Sequence, residues 1–120
     1  MITIYGIKNC DTIQKALKWL AANNLTFTFH DYKVSGIDKS TIAEWLKHFP
    51  ADKVINTKGT TYKGLSDTEK ADVTNKSKAI NLMIKNNSLI KRPVWDLGNG
   101  SFFLGWDEKE LSSLLLSANG

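Results

Sequence analysis

The sequence predicts an α/β fold, a four-stranded mixed sheet with an all-helical insertion in its middle. Residues 1–35 show strand, helix and strand patterns in turn, and residues 88–120 show two strands and a helix. The stretch between them, 36–87, shows only helical periodicity. Because 120 residues is the size of one ordinary domain, we expect a single domain in which the two outer stretches form the core.

The first stretch predicts a β-α-β unit. Ile2 and Ile4 alternate with Thr3 and Tyr5, as in a strand with one buried face. A helix with one apolar face follows and carries, at helical spacing, Ile13, Ala16, Leu17 and Leu20. The pair Asn23-Asn24 ends that helix, and the alternating pattern of residues 25–32 predicts a second strand. The helical crossover makes the two strands parallel.

The middle of the chain is predicted to be helical. Asp38 can cap a helix with one apolar face, and residues 56–64 have the composition of a loop. Ser66 and Glu69 have the spacing of a capping box. From there a helical pattern continues, in one or two pieces, to about Asn87.

The last stretch predicts a β-hairpin and a helix. Residues 93–97 and 101–104 have strand composition, and Gly98-Asn99-Gly100 between them is a strong hairpin signal. Asp107 and Glu110 have the spacing of a second capping box, which opens a final apolar-faced helix.

This order, β-α-β, helices, then β-β-α, is that of a thioredoxin-like fold. In that fold the turn after the first strand carries a thiol, and a proline, commonly cis, precedes the third strand beside it. Cys10 lies in that turn and Pro93 at that proline position. Only a minority of such bonds are cis, so the sequence leaves the isomer of the Arg92-Pro93 bond open.

Cys10 is the candidate nucleophile. It directly precedes a helix, whose unpaired amide groups and positive dipole end favour a thiolate. A lone cysteine is more often a small buried hydrophobe, so this position and the polar neighbours carry the argument. Those neighbours, predicted to frame the turn and contact substrate, are Lys8, Asn9, Asp11 and Thr12. Of these, Thr12 can cap the helix, which is the expected role, or donate a hydrogen bond to the sulfur. The negative charge of Asp11 opposes a thiolate unless its side chain points away from the sulfur.

Arg92 is the only arginine among sixteen lysines and arginines. Since it precedes Pro93, we expect it to face Cys10. A guanidinium there stabilises a thiolate and offers two hydrogen bonds to a carboxylate or oxyanion. The competing interpretation is a solvated surface cation.

Composition and charge indicate which kinds of binding partner and which cellular compartment to expect. The net charge is +4, but the lysines are scattered, which favours an anionic small molecule over nucleic acid. One cysteine excludes an internal disulfide and fits a reducing cytoplasm. No secretory signal is visible and no apolar run approaches the ~20 residues that span a bilayer. The two histidines, His30 and His48, have no clustered partners, so we predict no metal site.

Four segments together resemble a known family. They are Ile4-Tyr5-Gly6-Ile7-Lys8-Asn9-Cys10-Asp11-Thr12, His30-Asp31-Tyr32, Asn56-Thr57-Lys58-Gly59-Thr60-Thr61-Tyr62-Lys63 and Leu89-Ile90-Lys91-Arg92-Pro93-Val94. The chain resembles the arsenate reductase (ArsC) family, and within it the Spx/MgsR/YffB-like branch. The resemblance covers nearly the whole chain, and the cysteine turn and the segment before the proline are specific when found together.

The resemblance implies thiol chemistry. In arsenate reductases of this type the cysteine matched by Cys10 attacks arsenate, glutathione takes the adduct, and glutaredoxin helps to resolve the mixed disulfide. Three arginines surround the oxyanion there, and only the one matched by Arg92 is present here. The middle one falls near residues 56–58 and the last near Gly105. Lys58 supplies charge but no planar fork, so glutathione-dependent chemistry is expected and arsenate reduction is not.

The predicted function is therefore a glutathione-dependent thiol-disulfide oxidoreductase with no tightly bound cofactor. The Cys10 thiolate attacks a disulfide or oxidised thiol, glutathione resolves the mixed disulfide, and glutaredoxin is a further candidate partner in that step. Besides the residues of the turn, Lys58, Lys91 and Pro93 are predicted to contact substrate. Four lysines can bind the carboxylates of glutathione, although each alone is more often solvated: Lys8, Lys58, Lys63 and Lys91.

The alternative is a binding protein. Spx-type regulators of the same family bind RNA polymerase and alter transcription without catalysis. Regulators of that kind typically sense oxidation with a Cys-x-x-Cys pair, and here the second position is Ile13. The reactivity of Cys10 is the property that separates the two interpretations.

Overall fold

A four-stranded mixed sheet organises residues 1–116, the part of the chain that the computed structural model describes. Its strands are β1 (Ile2–Gly6), β2 (Phe27–Asp31), β3 (Val94–Asp96) and β4 (Phe102–Leu104), in the spatial order β2-β1-β3-β4. Strand β1 pairs in parallel with β2 and antiparallel with β3, which pairs antiparallel with β4. The predicted mixed sheet is confirmed. The end of the predicted outer stretch, 117–120, lies outside the described residues.

Helices fill the connections as the periodicity predicts. Helix α1 (Asp11–Ala22) crosses from β1 to β2, and α8 (Glu108–Leu115) follows β4. Between β2 and β3 lie α2 (Tyr32–Ser35), α3 (Lys39–Trp45), α4 (Ala51–Val54), α5 (Thr60–Lys63), α6 (Asp67–Ala71) and α7 (Lys76–Lys85), with 3-10 turns at Asp72–Thr74 and Asn87–Leu89. The predicted helical insertion is therefore present in the described chain.

The insertion differs from the prediction in detail. The expected loop at 56–64 contains α5, a single turn too short to show a periodic pattern. The helical stretch after Ser66 is in two pieces, which is one of the two predicted alternatives: it breaks at Asn75, whose side chain accepts a hydrogen bond from Lys78 N at 3.1 Å and starts α7. Strand β2 is shorter than residues 25–32, because Asp31 caps α2 and Tyr32 belongs to that helix.

The caps follow the sequence signals only in part. Ser66 and Glu69 form both halves of the capping box, and the amide and hydroxyl of Ser66 lower the pKa of the Glu69 carboxyl. Asp107 accepts from Glu110 N at 3.1 Å and caps α8. Asp38 occupies the cap position of α3, but its carboxylate makes no capping hydrogen bond.

Two hydrophobic clusters pack on the two faces of the sheet, because successive strand residues point to opposite sides. Ile4 and Trp95 belong to the cluster beneath α1 and α8, whereas Val94 packs with the insertion. The tryptophans are core or semi-exposed residues, as predicted: Trp45 and Trp95 are fully buried, and Trp19 and Trp106 pack around Trp95.

Both histidines have packing roles. His30 lies on β2, where its Nε2 is 2.7 Å from Gly36 O and its ring packs on Tyr5. The His48 ring lies 4.5 Å from that of Phe102. Among residues 1–116, no group of three His, Cys, Asp or Glu side chains is placed to hold a metal ion.

Candidate active site

The chain directions bring three segments to one edge of the sheet. Strands β1 and β2 are parallel and end there, with Gly6 opposite Asp31. Strand β3 is antiparallel to β1, with Val94 opposite Tyr5, so it begins at the same edge. Consequently the loop to Cys10 and the segment before β3 lie at a common end of the sheet.

Cys10 occupies the N-cap position of α1 and is half-buried against the cluster beneath that helix. No side chain at this position caps the helix. The unpaired amides of the first turn and the positive end of the helix dipole therefore lie beside the thiol. The expectation that Thr12 caps α1 is wrong: Thr12 lies inside the first turn, and the cap position belongs to Cys10.

The loop before Cys10 is held by two side chains from other elements. Asp31 Oδ2 accepts a hydrogen bond from Lys8 N at 3.1 Å. On the other side of the same residue, Gln14 Nε2 donates to Lys8 O at 2.9 Å. The side chains of Lys8 and Asn9, like that of Asp11, are exposed to solvent. The backbone of the loop is thus fixed while its predicted substrate-contacting side chains remain accessible.

Arg92 and Pro93 lead into β3. The Arg92-Pro93 peptide bond is cis, Pro93 is buried, and Arg92 is half-exposed. The carbonyl of Pro93 accepts from Gly105 N at 2.8 Å, which ties this segment to the end of β4.

Gly105 stands near the position where the resemblance implies a third arginine. Its φ of +85° favours glycine, and a Cβ there would lie 3.4 Å from Lys91 Cε. The side chain of Lys91 therefore approaches this position from the segment before the proline.

Main-chain hydrogen bonds join the insertion to the segment that precedes Arg92. Asn56 N donates to Leu89 O and Lys91 N donates to Val54 O, both at 2.7 Å. Between them lies an isolated antiparallel bridge from Ile55 to Ile90. This short ribbon, residues 54–56 with 89–91, sets the insertion beside the sheet edge that carries Cys10.

A cavity of about 170 Å³ opens beside this ribbon. Its lining consists of Asp52, Lys53, Ile55, Asn56, Thr57, Lys58 and Lys91. The structure thus brings together two of the lysines predicted to bind carboxylates, Lys58 and Lys91, but Lys8 and Lys63 do not line this cavity. Lys53 was missed by the sequence analysis, because one lysine among many gives no local signal.

Tyr32 is hydrogen-bonded to the segment that precedes Arg92. It is fully buried, and its hydroxyl donates to Ile90 O at 3.4 Å. Burial raises the pKa of Tyr32, the positive charge of Arg92 opposes that rise, and the charges of Cys10 and Asp31 add to it. Cys10 and Arg92 therefore both lie within electrostatic range of one hydroxyl group.

The raised pKa of Tyr32 predicts a pH-dependent stability. An unfolded tyrosine titrates near pH 10, so the stabilisation is fully present below about pH 10 and is lost as the pH rises towards the higher folded value. We expect the free energy of unfolding to fall less between about pH 9 and pH 11 in Tyr32→Phe than in the native protein. Urea denaturation at both pH values measures this, with Tyr62→Phe as the matched control. Equal losses in the native protein and Tyr32→Phe would contradict the prediction.

No helix within residues 1–116 is long and apolar enough to cross a membrane.

The sheet order, the helical insertion and the cysteine at the first helix define a thioredoxin-like α/β protein. The model of the ArsC family matches residues 5–114, and the chain belongs to that family. It is 42% identical over 110 residues to an uncharacterised protein of Haemophilus influenzae, covering 92% of this chain and 95% of that one. It is also 26% identical to the global transcriptional regulator Spx of Streptococcus mutans, covering 96% of this chain and 83% of the regulator.

A solved structure agrees with these relationships. The YFFB protein superposes with a TM-score of 0.88 at 38% identity, covering 98% of this chain and all of that one. The resemblance stated from the sequence motifs is thereby confirmed, and so is the thioredoxin-like fold class.

Proposed function

We propose that this protein is a glutathione-dependent thiol-disulfide oxidoreductase with Cys10 as its nucleophile, acting in the cytoplasm. The observation that carries the proposal is the place of Cys10 at the uncapped N-terminus of α1, on the sheet edge where Arg92 precedes β3. Both features favour the thiolate, which is the reactive form.

In the proposed reaction the substrate is a mixed disulfide between glutathione and another thiol. The Cys10 thiolate attacks the glutathione sulfur, the substrate S–S bond breaks, and the substrate leaves as a thiolate that takes up a proton. A glutathione thiolate then attacks the Cys10–glutathione disulfide, which releases the Cys10 thiolate and glutathione disulfide. A second molecule must supply this thiol because the chain has one cysteine, and glutaredoxin is a proposed alternative reductant.

The charge around the site supports an anionic co-substrate. Glutathione carries two carboxylates, and the cavity lined by Lys53, Lys58 and Lys91 offers three cations against one carboxylate, that of Asp52. We propose that one carboxylate binds there, while Arg92, Asn9 and Thr12 contact the reacting end. No tightly bound cofactor takes part.

The proposal is tested by the reactivity of Cys10 in Arg92 variants. We expect Arg92→Ala to slow alkylation and glutathionylation of Cys10 about tenfold at neutral pH, because a cation that stabilises the thiolate is removed. Arg92→Lys should lie between the two, since it keeps the charge without the planar fork. Rates come from intact-mass spectrometry after addition of iodoacetamide or glutathione disulfide.

Lys47→Ala is the matched control, because Lys47 is an exposed cation paired with Glu44 on α3. Its rate should equal that of the native protein. A thiol that reacts no faster than an unstructured cysteine peptide, and is indifferent to Arg92, would reject the oxidoreductase proposal.

The second candidate is a regulator that binds RNA polymerase without catalysis, and the similarity to Spx over 96% of the chain favours it. Because the chain has one cysteine and residue 13 is isoleucine, this candidate would act without an internal disulfide switch at Cys10. Affinity capture of RNA polymerase by the native protein and by Cys10→Ser separates the two functions. Equal capture by both, with an unreactive Cys10, would favour the regulator.

A further inference from the structure

The end of β2 contacts both halves of the candidate active site through two consecutive residues. Asp31 is the last residue of β2 and the N-cap of α2, and Tyr32 is the first residue of α2. Asp31 bonds to the loop that carries Cys10, whereas Tyr32 bonds to the segment that carries Arg92.

The Asp31 carboxylate accepts two main-chain hydrogen bonds. Oδ1 accepts from Lys33 N at 2.9 Å and caps α2, and Oδ2 accepts from Lys8 N at 3.1 Å. The first bond fixes the carboxylate. The second joins Asp31 to Lys8, which is 23 residues away in the sequence and lies two residues before Cys10. The carboxylate therefore holds the loop that carries Cys10 in place. We call this hydrogen-bonded contact, and the corresponding contact of Tyr32 with the segment before Arg92, the two brackets.

Tyr32 is joined to the other segment at both of its polar ends. Its hydroxyl donates to Ile90 O at 3.4 Å, and its main-chain carbonyl accepts from Asn87 Nδ2 at 3.0 Å. Ile90 lies two residues before Arg92. Because the ring is fully buried, close packing restricts Tyr32 to one side-chain conformation. The hydrogen bonds then hold the segment before Arg92 against it.

We propose that Asp31 and Tyr32 are positioning residues that together set the placement of the Cys10 sulfur relative to the Arg92 guanidinium. The importance of that placement for reactivity rests on the proposed function, whereas the two hydrogen-bonded brackets do not. Asp31 acts on the cysteine loop and Tyr32 acts through the arginine segment. Neither residue is assigned a contact with substrate.

Protonation of Tyr32 supports this role. A tyrosine with its ordinary pKa near 10 is already a hydrogen-bond donor at neutral pH, and burial raises the pKa of this hydroxyl further, which keeps the bond to Ile90 O intact into alkaline conditions. Cys10, Asp31 and Arg92 are the charged groups that act on it. The bracket is thus intact under the conditions in which the thiol would work.

The experiment is a double-mutant cycle with Arg92→Ala. The readout is the ratio of the Cys10 alkylation rate at about pH 6 to that at about pH 9, which reports the fraction of thiolate. We expect Tyr32→Phe to lower this ratio about threefold in the native background and to have no further effect when Arg92 is alanine. Asp31→Ala should lower the ratio in both backgrounds, because it acts on the cysteine loop.

Amide hydrogen exchange provides an independent readout of the brackets. Asp31→Ala should speed exchange of the Lys8 amide about tenfold or more, and Asp31→Asn, which keeps one acceptor and can still cap α2, should have a smaller effect. Tyr32→Phe should shift the resonance of the Arg92 amide and leave that of Lys8 in place. Matched controls are Asp38→Asn, whose carboxylate makes no capping bond, and Tyr62→Phe.

These outcomes distinguish a failure of the proposed function from a failure of the positioning role of Asp31 and Tyr32. If native Cys10 is unreactive while Asp31→Ala still exposes the Lys8 amide and Tyr32→Phe still shifts the Arg92 amide, the proposed function fails and the brackets stand. An unchanged Lys8 exchange rate in both Asp31 variants overturns the role of Asp31. A Tyr32→Phe effect of equal size with and without Arg92 overturns the role of Tyr32.

Discussion

Cys10→Ser is expected to abolish the covalent adduct with glutathione disulfide, a loss of at least about 10³ in rate. A serine hydroxyl stays protonated at neutral pH and does not attack a disulfide, whereas a thiol can form the attacking thiolate, and Cys10 lies at the N-terminus of α1. The substitution is nearly isosteric and the site is half-buried, so the fold should persist. Intact-mass spectrometry detects the adduct, and thermal unfolding checks the fold.

The native protein unfolded in urea serves as the control for this result, because it keeps the cysteine without the helix. We expect the folded native protein to form the adduct faster than the unfolded one at neutral pH. Adduct formation by folded Cys10→Ser, or faster reaction after unfolding, would be the contrary finding.

Trp95→Ala is expected to cost about 3–5 kcal/mol of unfolding free energy. Trp95 is fully buried, packs against the rings of Trp19 and Trp106, and donates from Nε1 to Gly105 O at 2.8 Å. Alanine leaves a cavity in place of the ring, and the carbonyl of Gly105 loses its hydrogen-bond donor. Since domains of this kind are stable by about 5–15 kcal/mol, the variant should lose a large share of its stability.

Urea denaturation followed by circular dichroism measures this loss. Trp95→Phe keeps much of the ring volume and should cost less than the alanine variant, because fewer packing contacts are lost. Trp19→Ala removes a half-buried ring from the same trio and should also cost less. A loss below about 1 kcal/mol in Trp95→Ala would mean that this trio contributes little to stability.

The sheet was predictable because its signals are local. Alternation in β1 and β2, the Gly98-Asn99-Gly100 turn and the apolar stripe of α1 each lie within a few residues. The order of these elements along the chain predicts a thioredoxin-like fold, in which Cys10 and Pro93 lie at the same edge of the sheet. The division of the chain at residues 35/36 and 87/88 into core and insertion remains a proposal.

The brackets around the site were not predictable in this way. Asp31 reaches Lys8 across 23 residues and Tyr32 reaches Ile90 across 58, so no periodic pattern announces either contact. The sequence places Asp31 and Tyr32 in the predicted strand and in the family resemblance, and it predicts no role for either side chain. Gln14 was missed because an exposed glutamine on a helix is ordinary.

The cap of α1 shows a different kind of failure. Thr12 has the residue type that favours caps, but the chain enters the helix two residues earlier, and Cys10 takes the position instead. The roles assigned to Cys10, Arg92 and their neighbours in catalysis stay predictions.

The ribbon between residues 54–56 and 89–91 has a consequence for how such proteins can diverge. Its two hydrogen bonds run from main chain to main chain, so they do not depend on which side chains occupy these positions. Thr57 and Lys91 can therefore change side chain without loss of these two bonds, whereas the Asn56 side chain is tied to the loop because its Oδ1 accepts from Lys58 N at 3.3 Å. Under the proposed function, point substitutions among the residues that line the adjacent cavity would change which anionic co-substrate binds, while Cys10, Arg92 and the sheet stay unchanged.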